Sequence, residues 1–211
     1  MTQAVRTVRP ETVRAWVAGW VVSRQAPAPV EEPWGLRVDV GLPGHVARHI
    51  LPNPDPATLR HLAETITTPG TWLKLCAPVG AVAPYLPEGW SIQAPEYMMT
   101  APLKREPVRV PPEYTIAVTP RANVTVARLL THDGEIASRG QIAIAGRYAV
   151  VDQVETAPAH RRRGLGRVVM MALSSAAATR TGLLVATPEG AALYGTLGWT
   201  HVTEVTAAVL R

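Results

Sequence analysis

The sequence predicts a mixed α/β protein, α+β in its local order, built in two halves that each set helices between strands. Three observations carry this. Amphipathic helical periodicity appears at residues 11–22, 56–66 and 164–181, strand-like runs separate these stretches, and a segment with four prolines, residues 101–112, divides the chain. With 211 residues, 47% hydrophobic and 18% charged, the chain has enough apolar side chains for a sizeable core and lacks the composition of a disordered one.

Each element has a local reason. Val13, Trp16, Val17, Trp20 and Val21 fall at helical spacing, and the Ala-Pro repeat at 26–29 stops that helix. Leu36, Val38 and Val40 share one face of a strand over 34–40, and 45–51 reads as a second strand. Asp55 is placed to N-cap a helix with Pro56 in its first position and Leu59, Leu62, Ala63 and Ile66 inward; Pro69-Gly70 ends it. Residues 71–76 and 96–100 read as strands flanking an irregular piece around Pro84 and Pro87. Beyond the Pro-rich segment, strands are expected at 114–119, 124–131, 135–145 and 148–156, with Asp133-Gly134 as a hairpin turn. The helix at 164–181 presents Leu165, Val168, Val169, Ala172, Leu173 and Ala176 on one face, with Gly182 placed to cap it. A buried strand at 183–186, a short helix at 189–197 and one or two strands over 199–210 complete the chain. No long repeat is visible beyond a weak echo, since both halves hold helices between strands.

Composition excludes several classes. No apolar run approaches ~18 residues, so no transmembrane helix is expected, and the N-terminus does not read as a secretory signal. The single cysteine, Cys76, cannot pair internally or found a cysteine metal site and reads as a small core residue. A cytoplasmic protein without membrane association is the natural reading. The net charge of +5 divides as 11 basic and 9 acidic residues up to 110, then 10 and 7 after it. The excess is concentrated at Arg161, Arg162, Arg163 and Arg167, with no aromatic residues interleaved, which argues against a nucleic-acid partner.

Chemistry concentrates in residues 154–167, a strand, a basic Gly-containing turn and a helix start. A helix N-terminus offers unpaired N–H groups and partial positive charge, glycines allow close backbone approach, and arginines add forked donors. This combination points to an anion, most simply a diphosphate. No Gly-Lys pair supports a P-loop, and Val169 stands where a dinucleotide fingerprint needs its third glycine.

Arg161-x-x-Gly164-x-Gly166, with Pro158 before it, resembles the R/Q-x-x-G-x-G/A signature of the GNAT superfamily of acyl-CoA-dependent N-acetyltransferases. Leu193-Tyr194-Gly195-Thr196-Leu197-Gly198-Trp199 is similar to that family's L-Y-x-x-L-G-F pattern, and the resemblance covers about residues 113–211. It implies a mixed, mostly antiparallel sheet flanked by helices in this half. It also implies direct acetyl transfer from acetyl-CoA to a primary amine of a small molecule or peptide, with no metal. By carry-over, Val154, Glu155 and Thr156 hold the pantetheine arm through backbone groups. Arg161, Arg162, Arg163, Gly164, Leu165, Gly166 and Arg167 take the pyrophosphate, and His160 is a lesser candidate for it. Tyr194 is the general acid, or else only a packed aromatic. For the base, strand alternation puts Val150, Asp152 and Val154 on one face and Glu155 on the other, favouring Asp152.

The chain also departs from the family pattern. Thr187 replaces a frequent Asn, Gly190 replaces an Ala, and only Pro120-Arg121-Ala122 stands where members carry two helices. Either the first half supplies the missing helices, or residues 1–100 are a degenerate GNAT-like domain on the acceptor side; the second is preferred. The expected organisation is therefore residues 1–100, a linker at 101–112 and an acetyl-CoA domain at 113–211, as two α/β layers with the acceptor between them. Trp34 and Trp90 are candidates to line its pocket. A non-catalytic acyl-CoA-binding or regulatory protein is the alternative function, and a homodimer is compatible with either.

Overall fold

A computed structural model describes residues 8–211. Pro10 opens the first helix, α1 (Pro10–Arg24), which buries the expected stripe of Val13, Trp16, Val17, Trp20 and Val21 and ends where Gln25 turns left-handed. Three antiparallel strands follow, β1 (Val30–Glu32), β2 (Gly35–Leu42) and β3 (His45–Leu51). Helix α2 (Pro56–Thr65) starts as expected, with the Asp55 carboxylate accepting the Thr58 N–H at 3.0 Å. It crosses to β4 (Thr71–Leu75), which pairs parallel to β3. A short helix α3 (Val79–Val82), a 3₁₀ turn, β5 (Trp90–Ile92) and β6 (Glu96–Pro102) end the first half.

The second half forms an antiparallel meander of β7 (Thr115–Arg121), β8 (Val124–Leu130), β9 (Ile136–Ala145) and β10 (Tyr148–Thr156). Then come α4 (Leu165–Ala176), β11 (Thr181–Ala186) parallel to β10, α5 (Pro188–Gly195) and β12 (Thr200–Leu210). Helix α4 stops five residues short of the expected end. Its last turn is taken up by Ser174 and Ser175, whose hydroxyls bond the backbone of Lys104 and Glu106. Gly182, expected as its cap, lies inside β11. No described helix is long and apolar enough to cross a membrane.

The strands join into one sheet in the order β1-β2-β3-β4-β12-β6-β11-β10-β9-β8-β7, with β5 attached to β12. From the central β12–β6 pair the order reads the same in both directions: a parallel pair bridged by a helix, then antiparallel strands. The last strand of each half is exchanged. β6 pairs antiparallel with β11, and β12 pairs antiparallel with β4. The expected pair of stacked layers is therefore corrected to one continuous sheet, because each half completes the edge of the other's parallel pair. Strand β6 belongs by pairing to the second half, although by sequence it begins within residues 1–100. The Pro-rich segment is strapped along α4 by the serine contacts rather than free, and β6 runs into it as far as Pro102.

Helices cover the second-half sheet on both faces. Helix α4 packs on β8, β9 and β10, while α1, from the far end of the sequence, covers the opposite face of β9 and β10. The core beneath α1 joins Leu36, Val38 and Ile50 of the first half to Val150, Leu183 and Val205 of the second. Burial at this seam is why the halves fold as one unit. Gly19 makes the docking possible, since a Cβ there would stand 2.2 Å from Val150 Cγ2.

Candidate active site

Strands β10 and β11 are hydrogen-bonded only at Tyr148–Thr181, Ala149–Gly182 and Val150–Leu183. Beyond these they diverge, while each remains paired to its outer neighbour, β9 or β6. The equivalent pair of the first half, β3 and β4, stays closed from Ala47–Thr71 to Leu51–Leu75. The open wedge leaves facing backbone edges of residues 151–156 and 184–186 without strand partners, an expensive state unless a ligand or water satisfies them. It widens into a cleft of about 750 Å³ lined by both strands, the start of α4, and α5. Val154, Glu155 and Thr156 all line it.

A bulge re-aims the end of β10. The register with β9 shifts between Asp152 and Glu155, and Gln153 has φ 54°. The expected alternation is thereby corrected: Val150 sits in the core under α1, but Val154 packs with the α4 core. An extra residue in one strand reverses the facing of everything after it. Glu155, an exposed residue, points to Arg139 at 2.7 Å. The Ser138 hydroxyl donates to the Glu155 carbonyl at 2.9 Å and is 2.9 Å from the Thr156 hydroxyl, fixing the bulged end.

Helix α4 begins at Gly164, whose φ of 76° favours glycine and which offers no side-chain cap. The first N–H groups of the helix therefore have neither intrahelical nor side-chain acceptors and stand at the cleft. Arg161, Arg162, Leu165, Gly166 and Arg167 line the cleft with Gly164. Arg163 does not: its guanidinium donates to the Tyr114 hydroxyl at 3.2 Å, and Tyr114 is 3.0 Å from His160 Nδ1. Arg163 and His160 are thus tied to Tyr114, and neither lines the cleft.

Gly166 faces α5, where a Cβ would meet Leu193 Cδ2 at 3.0 Å and lie 3.9 Å from the Thr156 hydroxyl. Gly166→Val is expected to narrow the head of the cleft and weaken CoA binding more than tenfold, about 1.4 kcal/mol. Calorimetry on a variant with an unchanged circular-dichroism spectrum checks this; wild-type affinity would remove the loop from the binding site.

Tyr194 lies at the inner end of the cleft, 8% exposed. Burial, with a smaller contribution from the Asp152 charge, pushes its phenol up to about 12, so it is a neutral donor at physiological pH. Thr187, in place of the family's Asn, caps α5 by accepting the Gly190 N–H at 3.2 Å. Gly190 leaves room for the tyrosine, since a Cβ there would press its ring at 3.2 Å. Asp152 also lines the cleft, but its carboxylate is engaged. Oδ2 accepts from Ser23 at 2.8 Å and Arg24 Nε at 2.5 Å, and Oδ1 accepts from Arg24 Nη2 at 2.9 Å. Gln141 donates to both the Ser23 carbonyl and hydroxyl at 2.7 Å, holding the clamp in place. These three donors take three of the roughly four lone-pair sites of the carboxylate, so Asp152, the expected base, is an anchored carboxylate with about one site left over.

Behind Asp152 lies a second, smaller space of about 140 Å³ reached through Val151, Asp152 and Val185, which line both. Its walls include Trp16 and Trp20 of α1, Arg48 of β3, Lys74 of β4 and Glu96 of β6. Sequence reasoning missed these residues. One signal was legible: Lys74, one of two lysines, stands between Leu73 and Leu75 in an apolar strand. The others come together only through the strand exchange and the α1 docking. Trp34 and Trp90 are elsewhere, Trp34 stacked 5.1 Å from His49 and Trp90 bonded to the Ala63 carbonyl at 3.0 Å. Cys76 is buried in the core, and its thiol is pushed up to about 12 by that burial. Among the described residues no group of three or more His, Cys, Asp or Glu is placed to hold a metal ion.

A splayed parallel pair, an uncapped helix start and a buried tyrosine thus line one cleft. The family model of the GNAT acetyltransferases matches residues 86–199, and the chain belongs to that family. Among solved structures it is similar to a GCN5-related N-acetyltransferase from Kribbella flavida, at 18% identity and TM-score 0.68 over 98% of this chain and 96% of that one. It is similar also to a GNAT-family protein from Novosphingobium aromaticivorans, at 20% identity and TM-score 0.56 over 95% and 97%. A tandem GNAT protein from the clavulanic acid biosynthesis pathway matches at 14% identity and TM-score 0.51 over 94% of each chain. At these identities the likeness concerns the fold alone. No curated protein matches the sequence.

Proposed function

We propose that the protein transfers an acetyl group from acetyl-CoA to a primary amine, with the β10–β11 cleft holding the CoA and Tyr194 serving the departing sulfur. The observation that carries this is the single cleft lined by both the uncapped start of α4 and Tyr194. The residues present fit the group: free N–H donors with Arg161, Arg162 and Arg167 suit a pyrophosphate, and the unpaired strand edges suit the amides of a pantetheine arm. Bound acetyl-CoA would supply an activated thioester. The chain's own contribution is to orient that group along β10, to exclude water beneath α5, and to hold a phenolic proton at Tyr194 Oη.

Asp152 keeps Arg24 and the end of α1 in place and puts negative charge beside the incoming amine. As a positioning residue rather than the base, its Asn variant should lose less than tenfold in rate, well under the roughly 10²–10⁴ of a general base. The rate should keep its wild-type dependence on pH. A flattened pH profile would restore Asp152 as the base.

We infer that the first half is a second copy of the same unit, closed to CoA. Its strand order repeats that of the second half, β3 and β4 do not part, and Asp55 places a carboxylate at the helix start where phosphate would sit. Thiol release measured over an amine panel, with calorimetry on acetyl-CoA, tests the whole reading. One CoA per chain and turnover on at least one amine are expected. Binding without turnover on any amine would support a non-catalytic role, and no binding would overturn the proposal.

A further inference from the structure

The small space behind Asp152 holds five charged side chains. Arg24 is paired with Asp152 and Lys74 with Glu96. Arg48 has no such partner. It extends from β3 over the Trp20 ring, with its carbon 4.1 Å from the ring centroid, and its buried Nε has no hydrogen-bond partner. Glu96 attracts it from beyond ion-pair distance, and burial lowers its affinity for the proton to a pKa of about 10, so it is a cation at neutral pH. An unmatched guanidinium in a cavity is expensive unless an anion completes it. The two carboxylates of the space are already paired, Asp152 with Arg24 and Glu96 with Lys74, while His45, tilted between Trp20 and Trp72 with its pKa lowered to about 4 by burial and the nearby cations, adds no further positive charge.

We propose that this space recognises a carboxylate on the acceptor, with Arg48 as its principal partner, so that the amine acetylated is a small amino acid or similar amino-carboxylate. The inference rests on the transferase reading above and names the substrate class for it. Three cations and two carboxylates leave one positive charge, which a single carboxylate neutralises and a phosphate dianion would overshoot. The guanidinium fork matches a planar carboxylate in two parallel hydrogen bonds. At about 140 Å³ the space takes a compact headgroup rather than a peptide chain. Because Val151, Asp152 and Val185 line both this space and the main cleft, a carboxylate seated on Arg48 would direct the amine of a small acceptor toward that cleft. The Trp20 ring backs the Arg48 guanidinium, and the surface the space offers is mainly polar, which suits a charged headgroup.

The test compares matched probes on the full chain: proteinogenic α-amino acids, β-alanine and γ-aminobutyrate, the corresponding carboxamides, the amines lacking the carboxyl group, and phosphoethanolamine. Thiol release gives kcat/KM, and calorimetry on the CoA-bound protein gives binding independently of turnover. At least one amino-carboxylate should exceed its carboxamide tenfold or more, the scale of one charge-assisted pair. Arg48→Met and Arg48→Lys should each raise KM and Kd for that carboxylate about 10–100-fold, with acetyl-CoA affinity unchanged. The lysine variant, which keeps the charge and loses the fork, guards against a methionine variant that folds poorly. Equal use of carboxylate and carboxamide, or preference for phosphoethanolamine, would overturn the inference while leaving the transferase reading intact. So would acetyl-CoA binding with no carboxylate of the panel either bound or acetylated. Failure to bind acetyl-CoA would instead remove the transferase reading, and carboxylate calorimetry on the free protein would then decide the Arg48 site alone.

Discussion

Replacing Tyr194 with phenylalanine should lower turnover at least tenfold while CoA affinity stays within about threefold, the low end of what acid–base groups contribute. The phenol is neutral up to about pH 12 and lines the cleft it would serve. Negative charge develops on the sulfur only as the C–S bond breaks, so a donor aimed there acts mainly on the transition state and little on ground-state binding. The phenylalanine ring preserves the contact with Trp199, whose ring lies 6.2 Å away, so the fold should be unaffected. Single-turnover rates, which isolate chemistry from product release, are the appropriate measurement. A Phe variant with the wild-type rate would make Tyr194 a packing residue and leave protonation of the sulfur to water.

The largest effect on stability is expected at Gly19. A Cβ there would stand 2.2 Å from Val150 Cγ2 and 2.6 Å from its Cβ, so a side chain must push α1 off the sheet. Gly19→Val should cost roughly 3 kcal/mol, the upper end of overpacking in a filled core. At this chain length that lowers Tm by roughly 6–12 °C. Gly19→Ala should also destabilise, and Val150→Ala in the same chain should recover part of the loss, with a coupling of about 1–3 kcal/mol between the two positions. Displacing α1 also withdraws Ser23 and Arg24 from Asp152, so activity should fall further than the unfolded fraction explains. Additive single losses in the double-mutant cycle would show that the two side chains do not share this space.

Most of the loop at the start of α4 was legible locally. Gly164, Gly166 and the arginines stand within seven residues of one another, and the requirement they meet, backbone N–H groups at a helix start, is set by the chain's own turn. The tie of Arg163 to Tyr114 was not legible, because that partner lies 49 residues away. The anchoring of Asp152 was hidden for the same kind of reason. Alternation along β10 is a local rule, and a bulge at a non-glycine residue, Gln153, leaves no mark in the sequence. The clamp on Asp152 comes from α1, nearly 130 residues earlier.

By itself the sequence determined the helices, most strands, the phosphate-type loop and the tyrosine that follows it, because periodicity, capping and short motifs act over a turn or a strand. The tertiary structure alone decided that the halves exchange their final strands, that β10 and β11 part while β3 and β4 stay closed, and that Arg48, Lys74 and Glu96 from three strands share one cavity with Asp152. Those outcomes depend on which buried surfaces find each other across 100 residues or more, and the free energy that selects them, apolar burial at the seam under α1, belongs to no segment of the chain taken alone.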